Sequence, residues 1–229
     1  MAKKNKSNFA FSDFLQELKV NSISNGKGVE IIEERKYYLI VCEGERTEPL
    51  YFNFFKKKLP KGFLDTVEII GEGDNTVNIV RKAHFLNVQR NRNILLPNYD
   101  EVWAIYDKDD FPDERFHEAI FLCEEYNINS GHSNQSFELW YVLHFQFLQS
   151  ALHRSDYVKI LSKILEFKYV KNDSKIVDLI NSKGDVRQAI KWATELDKLH
   201  DETSESNSCP STKVYKLVES LLEYIKHYS

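Results

Sequence analysis

Through residue 145, short apolar runs alternate with longer amphipathic stretches. KYYLIVCEG, residues 36–44, is aromatic and β-branched and stops at Gly44, which predicts a strand and a turn. TEPLYFNFFKKKLP follows, with Thr47, Glu48 and Pro49 reading as a helix start. TVEIIGEG predicts a second strand, after which Asn75 or Thr76 caps a helix whose apolar stripe is Val77, Val80, Ala83 and Val88. EVWAIYD is the best strand of the chain, FPDERFHEAIFLCEEY predicts a third helix with Pro112 near its start, and NINSGHSN a fourth, shorter strand. Strands joined through helices imply right-handed crossovers and a mainly parallel sheet with helices on both faces, an α/β fold.

From Phe137 onward the period changes. FELWYVLHFQFL, YVKILSKILEF, KIVDLINS, VRQAIKWATELDKLH and TKVYKLVESLLEYIK all carry helical spacing, and no comparable strand is expected among them. DETSESNSCPST, residues 201–212, predicts a mobile loop, with Ser211 or Thr212 capping the last helix. The expected division is an N-terminal extension over 1–35, where FSDFLQEL has helical spacing, an α/β domain over 36–145, and an α-helical C-terminal region over 146–229.

Composition narrows the class. With 42% hydrophobic and 29% charged residues, the chain can build a core and is not a disordered or low-complexity polymer. Its formal charge of −4 excludes a globally basic nucleic-acid binder, so a polyanion must be met by a local patch. Three widely spaced cysteines without a CxxC pair argue against a disulfide framework and a cysteine-rich zinc site. No stretch has the apolar length of a membrane span and the start MAKKNKSNFAFSDF lacks a secretory apolar run, so the expectation is cytoplasmic, with no membrane partner. Lys3, Lys4 and Lys6 read as a solvated end.

In an open parallel sheet, ligands bind outside the carboxyl ends of the strands. Here those ends are acidic: Glu43 and Glu45 follow the first strand, and Asp107, Lys108, Asp109 and Asp110 follow the third. Ionised carboxylates gathered within a few ångströms repel one another and call for a cation. Hard oxygen donors suit Mg²⁺ or Mn²⁺. An extended backbone puts Asp107 and Asp109 on one face, whereas a tight turn aims them differently. Glu45 is a candidate general base, Asp110 and Glu48 read first as helix-start charges, and Arg46 and Lys108 are the cations nearest the proposed metal. Arg81, Lys82, Arg90 and Arg92 read as a solvated helix face, while Lys183, Arg187 and Lys191 share one helical face as a candidate phosphate track. His132 and Ser133 follow the fourth strand and can reach the site; His144, Trp140, Tyr141 and Phe145 read as core, as does Cys42. No GxxxxGK[ST] loop is present, and GEGD at 71–74 lacks the dinucleotide pattern.

VCEGERTEPLYF, VWAIYDKDDF and SNQSFELWYVLHF, in that order, resemble the RloB family of TOPRIM-domain proteins, and CPSTKVYKLVESLL is similar to the family's C-terminal Pro-Ser-Thr segment. The resemblance runs from about Lys36 to Phe145 and resumes in that late segment. It implies a TOPRIM-like four-stranded sheet in which Glu43 after the first strand and Asp107 and Asp109 after the third hold divalent metal at a phosphodiester. Glu138 falls where related nuclease families place a further acidic ligand on a Ser-x-x-x-Glu element. The match departs there, since Ser133 lies five residues before Glu138 and Ser136 two. The resemblance also implies a bacterial anti-phage effector, often encoded beside an ATPase. The expected function is a metal-dependent nuclease cutting DNA or RNA, with Arg46, Lys108, Arg187 and Lys191 contacting the polymer, the helical region positioning it or a partner such as an AAA-type ATPase, and self-association into a homo-oligomer. Its rival is a non-catalytic metal- or nucleotide-binding module that docks on the ATPase. A receiver-like phosphoacceptor domain is disfavoured, because no lysine-bearing last strand is recognisable.

Overall fold

The computed structural model describes residues 35–109, 112–200 and 203–228. The expected N-terminal helix, the basic end and the helix-start role of Asp110 lie outside these residues. Four strands, β1 (Tyr38–Cys42), β2 (Val67–Gly71), β3 (Glu101–Ile105) and β4 (Asn129–Ser130), form one sheet in the order β2-β1-β3-β4. All its pairings are parallel, with Ile40 level with Ile69 on one side and Trp103 on the other. The α/β expectation holds.

The period of two along β1 and β3 sorts their side chains between two cores. Leu39, Val41, Val102, Ala104 and Tyr106 face α2 (Thr76–Asn91) and α3 (Asp113–Glu125), packing on Val80, Ala83, Phe116 and Ala119. Tyr38, Ile40, Cys42, Trp103 and Ile105 face the other way, into a larger core with Phe52 and Phe55 of α1 (Thr47–Lys56) and Leu217 and Leu221 of α8 (Val214–Tyr228). Each fully buried Val, Leu, Ile or Phe side chain among them contributes about 1.5–3 kcal/mol. Helix starts follow local chemistry: Asn75 caps α2 by accepting from Asn78 N at 3.2 Å, and Pro112 immediately precedes α3.

The remaining helices are α4 (Glu138–Leu143), α5 (Arg154–Leu165), α6 (Ser174–Lys183) and α7 (Val186–Leu199). Their core is continuous with that of the sheet, and α8 is tied to it by Tyr38 Oη to Ser220 Oγ at 3.0 Å and by Tyr224 Oη to Thr66 Oγ1 at 2.9 Å. Among the described residues no helix is long and apolar enough to cross a membrane.

Two expectations are corrected. NINSGHSN does supply the fourth strand as β4, but after it the chain turns, and its last two residues form β5 (Ser133–Asn134), which pairs antiparallel with β6 (Ser211–Thr212). A strand therefore exists in the second half, and the polar stretch before α8 is built in rather than mobile over its described part. Ser206, Ser208, Ser211 and Thr212 are buried, Asn134 Nδ2 donates to the Ser206 carbonyl at 2.9 Å, and the Ser133 and Thr212 hydroxyls meet at 2.9 Å. The Ser133, Thr212 and Ser208 hydroxyls and the Asn134 amide are tolerated there because each finds a partner, whereas Ser211 Oγ has none among the described residues. Of the two cap candidates, Thr212 accepts from Val214 N at 3.4 Å.

Candidate functional site

Strands β1 and β3 end level, Cys42 beside Ile105, so the residues that follow them emerge side by side. Glu43 N donates to the Ile105 carbonyl at 2.8 Å, and Asp107 N donates to Glu43 Oε2 at 2.9 Å, which lays the glutamate across the end of β3. Glu48, in the first turn of α1, folds back over Gly44, where a Cβ would lie 2.1 Å from Glu48 Oε2. Only glycine lets the two approach. Glu138 opens α4 and is 1% exposed; Ser136 Oγ donates to its Oε2 at 2.7 Å, while Tyr169 Oη and Lys171 Nζ reach its Oε1 at 3.2 and 3.0 Å. A cleft of about 260 Å³ opens between them, lined by Gly44, Glu45, Thr47, Glu48, Asp107, Phe137, Glu138, Lys171 and Asn172.

Three carboxylates here, Glu43, Glu48 and Asp107, are held toward neutrality. Burial pushes Glu43 up to about 7, helped by Asp109 and Glu48 and opposed by the hydrogen bond from Asp107 N. Burial also pushes Glu48 up to about 7, with Glu138 and Asp109 adding to it. Asp107 is driven well above its ordinary range by burial and by Glu48, Glu138 and Glu43. Burial works against the Lys171 ammonium, yet Glu138, Asp107 and Glu48 leave it raised overall. Glu48 is 6% exposed, and its Oε2 is buried without a hydrogen-bond partner among the described residues. All the acidic donors are hard oxygens, a set suited to Mg²⁺ or Mn²⁺. Among the described residues, no three His, Cys, Asp or Glu side chains are already grouped to hold a metal ion.

The other anticipated residues divide. Asp109 adopts φ 48°, so the DxD is a turn rather than an extended strand end, and its carboxylate pairs with Arg154 of α5. Glu45 is exposed at the rim and packs over Gly73, whose φ of 65° and contact with Glu45 both favour glycine. Arg46 is exposed at the N-cap of α1 and makes no side-chain bond among the described residues. Lys108 turns to Asp113 at 2.8 Å. The expected single face of Lys183, Arg187 and Lys191 is broken, since Lys183 ends α6 whereas Arg187 and Lys191 are exposed on α7, and none of the three lines the cleft. His132 is buried between Ser130 Oγ, 2.8 Å from its Nδ1, and Glu205, 3.2 Å from its Nε2, away from the cleft lining. His144 is buried between the Trp140 carbonyl at 2.9 Å and Tyr51 Oη at 3.1 Å, and burial lowers it to about 4. Burial pushes the Cys42 thiol up.

Sequence reasoning missed Lys171, Asn172 and Arg154 and took Glu48 first as a helix-start charge. The Glu48 signal was present in EGERTE, since the first turn of a helix starting at Thr47 points back at the strand end. Lys171 carried no local signal, because it lies in the turn before α6 and its partner Glu138 is far back along the chain, at the start of α4.

No curated protein and no solved structure matches the chain. The family model described as RloB-like protein matches residues 38–221, a span that holds the six strands found among the described residues and the whole cleft lining. That match covers most of the chain, and the protein belongs to the RloB-like family.

Proposed function

We propose that the protein is a divalent-cation-dependent nuclease that hydrolyses phosphodiester bonds of DNA or RNA in the acidic cleft, as a bacterial anti-phage effector. The observation that carries this reading is Glu48 Oε2, buried without a partner beside Glu43 and Asp107, which are themselves pushed toward neutrality. Such a charge cluster is relieved by a cation. Glu43, Glu48 and Asp107 would hold Mg²⁺ or Mn²⁺, with Asp109 and Glu138 reached by displacing Arg154 and Lys171. When bound, such an ion lowers the pKa of a water and stabilises charge developing on the phosphoryl group.

The chain's own groups do the rest. The Lys171 ammonium faces the cleft and can turn from Glu138 to a phosphoryl oxygen, and the Arg46 guanidinium at the rim can take a phosphate in bidentate fashion. Glu45, exposed at the rim, can accept a proton from attacking water, and Phe137 walls off solvent on one side. The test is cleavage of supercoiled DNA, linear DNA and bulk transfer RNA by wild type and Asp107→Asn, with Mg²⁺, Mn²⁺ or chelator. We expect metal-dependent cutting that falls at least ~100-fold in the variant. Equal cutting by both proteins, or cutting in chelator, overturns the reading.

A second reading draws on the two internal ion pairs. Because Arg154 and Lys171 already accompany Asp109 and Glu138, the cleft also suits a non-catalytic module that binds cation or nucleotide and docks on a partner ATPase. Binding of the ATPase with no cleavage of any polymer in its presence is the outcome that favours it.

A further inference from the structure

Helices α2 and α3 pack side by side, and their first turns lie at the same edge of the sheet as the acidic cleft. Between them runs a groove of about 280 Å³ lined by Asn75, Val77, Asn78, Arg81, Arg115 and Glu118. It adjoins the catalytic candidate directly: Thr76, between two of the lining residues, donates its hydroxyl to the Asp107 carbonyl at 3.5 Å.

The cations around this edge differ in how they are engaged. Lys108 is paired with Asp113, Lys82 with Glu72 and Arg154 with Asp109. Arg115 is exposed, and its side chain makes no hydrogen bond or ion pair with any described residue. Arg81 spends one terminal nitrogen on Glu118 at 2.9 Å, which orients a guanidinium that carries further N–H donors. The amides of Asn75 and Asn78 are engaged by Asp74, and the charged donors lining this groove are the two guanidinium groups. A guanidinium recognises phosphate through paired, charge-assisted hydrogen bonds.

We infer that this groove holds the phosphodiester backbone of the nucleic-acid strand beside the scissile position, through Arg115 and the free edge of Arg81. The inference rests on the nuclease reading for its substrate. It answers the problem which that reading raises, since a strand approaching a cleft of carboxylates needs positive charge within a nucleotide or two of it.

The test is equilibrium binding of labelled single-stranded DNA, duplex DNA and RNA oligomers over a salt series, with Ca²⁺ in place of Mg²⁺ or Mn²⁺ and the oligomers verified intact on a gel. Arg115→Gln should weaken binding to the preferred polymer at least fivefold at low salt. It should also flatten the slope of log K against log[salt] by about 0.7–0.9, the contribution of one phosphate contact. Arg115→Lys should keep the slope. An unchanged slope in Arg115→Gln, a slope flattened as much by Arg115→Lys as by Arg115→Gln, or no binding of any polymer by wild type overturns the groove. A wild type that binds with the Arg115 contribution yet cuts nothing overturns the nuclease and keeps the groove, whereas cutting with an unchanged slope overturns the groove alone.

Discussion

Two charged clusters sit at the same edge of the sheet and are built on opposite principles. Beyond β4, His132, Glu205, Lys213, Asp197 and Tyr215 form a closed chain: Nε2 of His132 meets Glu205 at 3.2 Å, Lys213 joins Glu205 at 3.2 Å and Asp197 at 2.5 Å, and Tyr215 Oη donates to Asp197 at 2.8 Å. Beyond β1 and β3, Glu48 and Asp107 share one cleft with Lys171, which belongs first to Glu138, while Glu43 accepts from Asp107 N beside them. The same residue type responds in opposite directions. The hydrogen bond from His132 and the Lys213 charge hold Glu205 down at about 2, while burial and like charge push Glu43 and Glu48 up to about 7. A cluster that stabilises the fold satisfies its own charges; one that leaves a buried carboxylate oxygen alone is arranged for something that arrives later.

The largest test of this contrast is the pH dependence of stability in chelator. Glu43 and Glu48 bind protons more tightly folded than unfolded, where a glutamate titrates near 4.5, so their stabilising contribution is intact below that value and is lost as pH rises through about 7. We expect urea unfolding to lose on the order of 3 kcal/mol across that window. Glu48→Gln should recover about half of it, and added Mn²⁺ should restore the wild type. Glu205 has the reverse sign, its contribution present above about 4.5 and lost as pH falls toward 2, so Glu205→Gln should remove part of the acid limb and leave the neutral one. A flat wild-type profile between pH 5 and 8 would mean that the cleft carboxylates are ordinary and would erase the distinction.

Next in size is Lys213→Met, which strands two carboxylates in the closed network. With Lys213 and Asp197 side chains only 15% and 16% exposed, the loss should be about 2 kcal/mol, between the values for buried and surface pairs. A loss below ~0.5 kcal/mol in chemical denaturation would show that this network contributes no more than a surface pair. The smallest effect should come from Glu118→Gln, which opens the Arg81 pair on the surface and should move stability by under ~0.5 kcal/mol. A larger change would show that exposed pairs at this edge are structural too.

Much of the fold was legible along the chain. YLIVC and EVWAI are short, β-branched and bounded by turn formers, and an alternation of two assigns their side chains to two faces whatever packs there. Glu43 and Asp107 were legible as a pair because parallel strands joined through helices end at a common edge. The β5–β6 pairing was not, because Ser133, Asn134, Ser211 and Thr212 are polar residues buried by pairing of two short strands, with no apolar period to read. Polar DETSESNSCPST therefore read as solvated chain. Arg154 was equally hidden, since its partner Asp109 lies 45 residues away.

By itself, then, the sequence determined what depends on near neighbours: the strand and helix periods, the Asn75 cap, the parallel α/β plan and the presence of acidic residues after two strands. Only the tertiary structure decided which of those carboxylates are satisfied, that Glu48 turns inward over Gly44, that Lys171 and Arg154 come from the helical region to meet Glu138 and Asp109, and that Arg115 stands open in a groove beside Asp107. The reason is physical. Hydrophobic periodicity is set by backbone geometry repeating every two or 3.6 residues, whereas the charge state of a buried group is set by burial and by whatever lies within a few ångströms of it, regardless of separation along the chain.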